Sequence, residues 1–238
     1  MEFHVYENAR AACEAAGVLI AAQITRKGDS VLGLATGSTP IPAYEMLVQW
    51  YGRGVIDFDR VRTFNLDEYV GIDHKNPLSY HAFMQEHLFS KVNLRKENVH
   101  LPSGNAAADV EAYDKAIHAA GGIDIQLLGT GHIGFNEPAD EFTYGTHVVT
   151  LAADTIEANA RFFKSADEVP RQAVSMGIGN IMAAKCVVLV ATGESKAKAV
   201  YDTIRGPITP RVPASVLQLH PCCVILTDRE AGKLMLEE

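Results

Sequence analysis

The sequence predicts an α/β fold built on a single doubly wound, mostly parallel sheet with helices on both faces. Three observations point there. Short apolar runs alternate with segments of helical period along the whole chain. One run, Cys186 to Ala191, is apolar almost throughout, as a strand covered on both faces requires. Several runs end in turns of glycine and hydroxyl residues that open a helix. With no repeat, low-complexity tract or long linker, residues 1–238 read as one domain.

Phe3, Val5 and Tyr6 mark a first strand, and Asn8 is suited to cap a helix running to about Arg26. Val31 to Ala35 is the second strand. Thr36, Gly37, Ser38 and Thr39 follow it, with Pro40 at the first turn of the next helix. Free N–H groups at a helix start, hydroxyls beside them and a glycine that lets the backbone approach closely form an anion-binding turn. An ordinary capped turn has the same composition. No Lys follows the second hydroxyl residue, so this is not a P-loop.

Val61 to Leu66 is a third strand ending at Asp67-Glu68-Tyr69. Its two carboxylates are candidates for a general base, or for a helix cap with a solvated neighbour. Pro77-Leu78-Ser79 introduces a helix through Tyr80 and Met84. Val99 to Leu101 is a short strand, and Ala106 to about Ala120 a helix. Ile123 to Leu128 is a buried strand leading into Gly131-His132-Ile133-Gly134-Phe135-Asn136-Glu137-Pro138. A His and a Glu at such a strand end can share a proton-transfer task. Thr146 to Leu151 alternates like a half-buried strand, and Ala152 to Phe163, which carries Arg161, reads as helix. After the run from Ala173 to Gly179, the strand at Cys186 ends in Thr192-Gly193-Glu194-Ser195-Lys196, where Lys196 is placed to be a second anion ligand or a solvated helix residue. Pro213-Ala214-Ser215 caps a short helix, and Cys222 to Leu226 is a final strand.

Of 238 residues, 47% are hydrophobic and 21% charged, ordinary for a globular chain, and a net charge of -8 argues against non-specific nucleic-acid binding. Cys13, Cys186, Cys222 and Cys223 have neither zinc-site nor disulfide-framework spacing, so they read as buried reduced thiols. The N-terminus lacks the regions of a signal peptide, and no apolar run approaches the ~20 residues of a membrane span. The expectation is a cytoplasmic protein.

With these residues laid out, the chain resembles the glucosamine-6-phosphate deaminases from about Val31 to the last strand. The motifs are Leu34 to Pro40, Thr63 to Tyr69, Gly131 to Pro138, Ala158 to Phe163 and Leu217-Gln218-Leu219-His220-Pro221. Related 6-phosphogluconolactonases share the fold and a Gly-His element but lack the Phe-Asn-Glu-Pro continuation. The resemblance implies a modified Rossmann-like fold. It also implies conversion of glucosamine 6-phosphate and water to fructose 6-phosphate and ammonia, in amino-sugar catabolism, with no metal or organic cofactor. It makes Asp67 the base at C2, and gives ring opening to His132 backed by Glu137. The phosphate falls to Thr36, Gly37, Ser38 and Thr39 with Arg161 and Lys196 as cationic ligands, and Gly131 is a further substrate-binding residue. The Arg161 segment resembles the family's lid.

Two departures stand out. Family members carry about three more residues before His-Ile, including an Asp or Asn that assists the histidine, where this chain reads Gly129-Thr130-Gly131-His132. The intact remainder of the motif favours residues left out of the sequence over a true deletion, which would shorten the turn and displace His132. The stretch from Tyr144 to Val149 lacks the basic residues of activator-binding members, and the chain stops at Glu238. A short, non-allosteric monomer or small oligomer is expected. A lactonase-like hydrolase and a sugar-phosphate-binding regulator that has lost catalysis are the competing readings.

Overall fold

The computed structural model describes residues 1–129, 133–160, 163 and 168–236. Seven strands form one parallel sheet: β1 (Glu2–Tyr6), β2 (Val31–Leu34), β3 (Arg62–Asn65), β5 (Val99–His100), β6 (Ile125–Gly129), β9 (Val187–Ala191) and β10 (Cys223–Asp228), in the order β1-β10-β9-β6-β2-β3-β5. From β2 the chain moves outward to β3 and β5, and then returns to β6 to build the other side through β9 and β10. The reversal between β2 and β6 is a topological switch point, where open α/β sheets leave a crevice at the strand ends.

Helix α1 (Ala9–Arg26) is capped as its sequence predicts, the Asn8 side chain accepting from the Ala11 amide at 3.0 Å. It packs on α2 (Ile41–Gly52) and across β6, β9, β10 and β1. The other helices are α3 (Tyr80–His87), α4 (Ala106–Ala119), α5 (Ala153–Ala160), α6 (Ile178–Met182), α7 (Ala197–Arg205) and α8 (Arg229–Leu236), with α7 and α8 packed together. Helix α8 was not expected from the sequence. The core is aliphatic along the sheet, with Leu32, Leu34, Leu127, Val188 and Leu189 all within 1% of complete burial. Gly33 makes room for a neighbour: a Cβ there would lie 2.0 Å from Gln126 Oε1 on β6.

The expected α/β fold on a mostly parallel sheet is present, with one addition. The chain has a second, three-stranded antiparallel sheet, β4 (Asp67–Tyr69), β8 (Gln172–Ser175) and β7 (His147–Thr150), in the order β4-β8-β7. Its β4 begins one residue after β3 ends. Leu66 makes the transfer: its amide donates to Leu34 O of the parallel sheet at 3.1 Å. Its carbonyl accepts from Met176 N, just beyond β8, at 2.7 Å. A three-residue strand of Asp, Glu and Tyr has no periodicity to reveal it.

The cysteines also differ from expectation. Cys13 and Cys223 are buried, but Cys186 is half-buried and Cys222 is exposed, because both precede their strands at the sheet's N-terminal edge. At that edge Asp124 is buried and accepts from Lys27 Nζ and Lys185 Nζ, each at 2.7 Å, and from Val31 N at 2.8 Å. Burial opposes ionisation, but the lysine and amide hydrogen bonds outweigh it and hold the carboxyl below its ordinary value. A depressed folded value gives stability that is present above the unfolded pKa and lost as pH falls through the folded one. Asp124→Ala is therefore expected to cost about 2–4 kcal/mol in urea unfolding at pH 7, and progressively less as pH falls below about 4. An equal loss at neutral and low pH would show that packing, not charge, sets the cost.

Candidate active site

Because the large sheet is parallel, the C-terminal ends of β3, β2, β6 and β9 lie side by side on one edge. These are the strands that lead to Asp67, the Thr36–Thr39 turn, the segment from Ile133 to Glu137 and Lys196. The topology thus places four candidates, far apart in sequence, along one crevice.

The turn after β2 is open. Gly37 has φ +98°, a left-handed conformation suited to glycine, and nothing lies within 4 Å of where its Cβ would be. Thr36 and Thr39 are half-buried and Ser38 is exposed. Pro40 is the N-cap of α2 rather than its first residue, and no side chain caps this helix, so its leading N–H groups face the turn. Below it the buried Tyr44 hydroxyl donates to Ala35 O at 2.5 Å, pinning the junction.

Asp67 is 6% exposed at the seam of the two sheets. Burial first, and the neighbouring Glu68 carboxylate second, push its pKa up to about 8. Glu68 is fully buried but is not a solvated neighbour. Its carboxylate accepts from the amides of Tyr69 (2.9 Å), Tyr80 (3.1 Å) and His81 (3.0 Å), closing the start of α3 beside the Ser79 cap. Burial raises the Glu68 pKa against those three bonds. Two adjacent carboxylates thus divide the roles: Glu68 is occupied by backbone donors and Asp67 is aimed elsewhere.

That direction is toward the Gly134 turn. A Cβ on Gly134 (φ +68°) would lie 3.7 Å from Asp67 Oδ2 and 3.0 Å from Ser175 Oγ. Ser175 is the register partner of Asp67 on β8 and is fully buried, and its hydroxyl accepts from Phe135 N at 3.0 Å. Asn136 Nδ2 donates to Ile133 O (2.7 Å) and Met176 O (2.9 Å), fastening the same turn to the end of β8. Glu137 Oε1 accepts from Thr155 Oγ1 at 2.7 Å and Ala152 N at 3.3 Å, and so reaches the start of α5, the helix that leads to Arg161. Tyr69, Tyr80, Phe135 and Phe163 form an apolar wall here, with a 3.2 Å bond between the two tyrosine hydroxyls.

Lys196 ends a 3-10 turn after β9 and is half-buried. Gly193 (φ +86°) donates its amide to both Asp228 carboxylate oxygens, at 3.1 and 2.9 Å, which ties this turn to β10. Among the described residues no carboxylate lies within ion-pair distance of Lys196, whereas Lys198 pairs with Asp202 at 2.6 Å. Gly131, His132 and Arg161 lie outside the described residues.

Ser175 carries no signal in the sequence, being brought to Asp67 only by sheet pairing. Ser175→Ala should lower turnover about tenfold with little change in KM, because the Phe135 amide loses its acceptor and the Gly134 turn its anchor. Ser175→Thr keeps the hydroxyl and should recover most of that loss. A fall that tracked the melting temperature in both variants would reduce Ser175 to a packing residue.

The chain is similar to known proteins along nearly its whole length. The family description "glucosamine-6-phosphate isomerases/6-phosphogluconolactonase" matches residues 6–225. A glucosamine-6-phosphate deaminase of Thermoanaerobacter pseudethanolicus is 52% identical over 230 residues, covering 94% of this chain and 90% of its own. One from Clostridium botulinum is 51% identical over 242 residues, covering 99% and 97%. That aligned span exceeds the 238 residues of this chain, so the relative carries residues that this sequence lacks. The solved structure of a monomeric glucosamine-6-phosphate deaminase superposes with a TM-score of 0.94 at 39% identity, covering 98% of this chain and all of its own. A 6-phosphogluconolactonase from Trypanosoma brucei, at 18% identity and a TM-score of 0.74 with 98% of each chain covered, shares the fold.

Proposed function

Since the chain belongs to the family of glucosamine-6-phosphate isomerases and 6-phosphogluconolactonases, we propose that it is a glucosamine-6-phosphate deaminase. It converts glucosamine 6-phosphate and water to fructose 6-phosphate and ammonia. The observation that carries this reading is Asp67, a desolvated carboxylate on the strand edge that also ends in the hydroxyl turn and Lys196. A carboxylate with a raised pKa takes a proton from carbon more readily than an ordinary one, and returns it to the adjacent carbon.

In this reading the sugar phosphate is anchored on Thr36, Gly37, Ser38 and Thr39, with the helix N-terminus and Lys196 opposing its charge. Arg161 completes the phosphate contacts and Gly131 contacts the substrate, by their place in the family motifs. His132 opens the ring by moving a proton between the anomeric hydroxyl and the ring oxygen, with Glu137 holding its charge and orientation. Asp67 removes the C2 proton and delivers it to C1. Water adds to the resulting imine, and ammonia leaves. Each step is a proton transfer or a hydrolysis of the kind that side chains and water perform. The reading takes the protein as a monomer, like the monomeric solved relative, acting in the cytoplasm. Among the described residues no helix is long and apolar enough to cross a membrane.

The test is direct: purified protein with glucosamine 6-phosphate, scored for equal amounts of ammonia and fructose 6-phosphate. A parallel assay with 6-phosphogluconolactone separates the lactonase reading. Lactone hydrolysis without ammonia release would replace the proposal, and tight binding of the amino sugar without turnover would make the chain a binding protein.

A further inference from the structure

A second cluster of reactive groups lies at the opposite edge of the sheet, remote from the crevice. Cys186 and Cys222 stand just before the neighbouring strands β9 and β10, whose register pairs Val187 with Cys223. The two cysteines are therefore cross-strand neighbours, and Cys222 Sγ lies 2.9 Å from Cys186 Sγ. Cys222 O accepts from Val187 N at 2.9 Å, so the backbones are already bonded where the sulfurs meet. Both thiols are free, and Cys222 is exposed.

The contact is held by His220. This imidazole is 3% exposed, with Nδ1 accepting from Cys222 N at 3.1 Å and Nε2 2.9 Å from Ala184 O. An Nδ1 that accepts an amide proton leaves the ring proton on Nε2, which donates to the carbonyl. One buried ring thus ties the segment carrying Cys222 to the segment that leads into Cys186. The motif from Leu217 to Pro221 takes no part in the proposed chemistry, and here it has a role.

We propose that Cys186 and Cys222 form a dithiol site that closes to an intramolecular disulfide when it meets a low-molecular-weight disulfide. The exposed Cys222 thiolate attacks the reagent's S–S bond, forming a mixed disulfide and releasing one thiol. The Cys186 thiol then gives up its proton, and its sulfur attacks Cys222 Sγ and expels the second thiol. The protein loses two protons and two electrons, and the reagent takes up both and is reduced to two thiols. The sulfurs have less than ~1 Å to travel to bonding distance. Cys222 is exposed whereas Cys186 is half-buried, its thiol pushed up to about 12 by burial first and Cys222 second, so Cys222 is the sulfur that meets the reagent first. Cys223 does not compete: it is 2% exposed, in the core, on the other side of the strand from Cys222.

The linkage closes a loop between positions 36 apart in sequence and pins β9 to β10 at one end, as Asp228 and Gly193 pin them at the other. It should raise the melting temperature by roughly 5–10 °C. The experiment treats the full-length protein with oxidised glutathione, followed by intact mass, peptide mapping and thermal unfolding. The expected result is a loss of about 2 Da without a glutathione adduct, a peptide joining Cys186 to Cys222, and the higher melting temperature. Cys186→Ser should instead retain one glutathione on Cys222, and Cys222→Ser should not react at either position. A stable adduct on Cys222 of the unsubstituted protein, a Cys222–Cys223 link, or the same 2 Da loss in Cys186→Ser would overturn the proposal.

Discussion

Asp67→Asn should lower kcat for ammonia release from glucosamine 6-phosphate by about 10²–10⁴-fold, the range a positioned acid–base group supplies. The amide has nearly the same shape, so KM should stay within a few-fold. The pH profile gives a sharper check. A base acts only when ionised, and burial with the Glu68 charge pushes Asp67 up to about 8. The kcat/KM of the parent protein should therefore rise with pH and level off only above about 8, and this limb should be missing from the residual activity of the variant. Stability runs the other way. A carboxyl whose folded pKa lies above its unfolded value favours the folded state most at low pH, and that advantage drains away between about 4 and 8. Asp67→Asn has no such dependence, so its melting temperature should gain on the parent's as pH rises from 6 to 9. A parent profile that is flat above pH 6 would remove Asp67 from the role of base.

Lys196→Met should raise KM by about 10–100-fold and leave kcat within a few-fold, since a contact to a non-reacting phosphate acts alike on bound substrate and transition state. Lys196 has the features such a ligand needs: it is half-buried, at the end of a strand adjacent to β6, and has no carboxylate partner among the described residues. Lys198, two residues on, is committed to Asp202 and makes the internal control. Its substitution should leave KM unchanged. Inorganic phosphate should inhibit the parent competitively and Lys196→Met much less. An unchanged KM would return Lys196 to the ordinary status of a solvated helix residue.

Much of the site is legible before any folding because its parts are local. Asn8, Ser79 and the Gly37 turn act through backbone groups one to three residues away, so side-chain chemistry and spacing announce them. Glu68 is the opposite case. Beside Asp67 it reads as an equal candidate for the base, or as a solvated neighbour. Only the approach of the α3 N-terminus, with two of its amides, makes it a buried cap. The same holds for Ser175 and for the Cys186–Cys222 contact, each the product of pairing between strands distant in the chain. Cysteine spacing alone reads as reduced core thiols, because spacing carries no information about register.

The sequence by itself determined the alternation of strands and helices, most of their positions, and the residue types that gather at the strand ends. Periodicity and capping are short-range and are written in neighbouring residues. Tertiary structure decided which strands became neighbours, that the chain changes sheets at Leu66, and that Asp67 rather than Glu68 faces the Gly134 turn. Those outcomes depend on long-range pairing and on the removal of water. A buried carboxylate has its pKa set by what surrounds it, and those surroundings exist only once the sheets have closed over it.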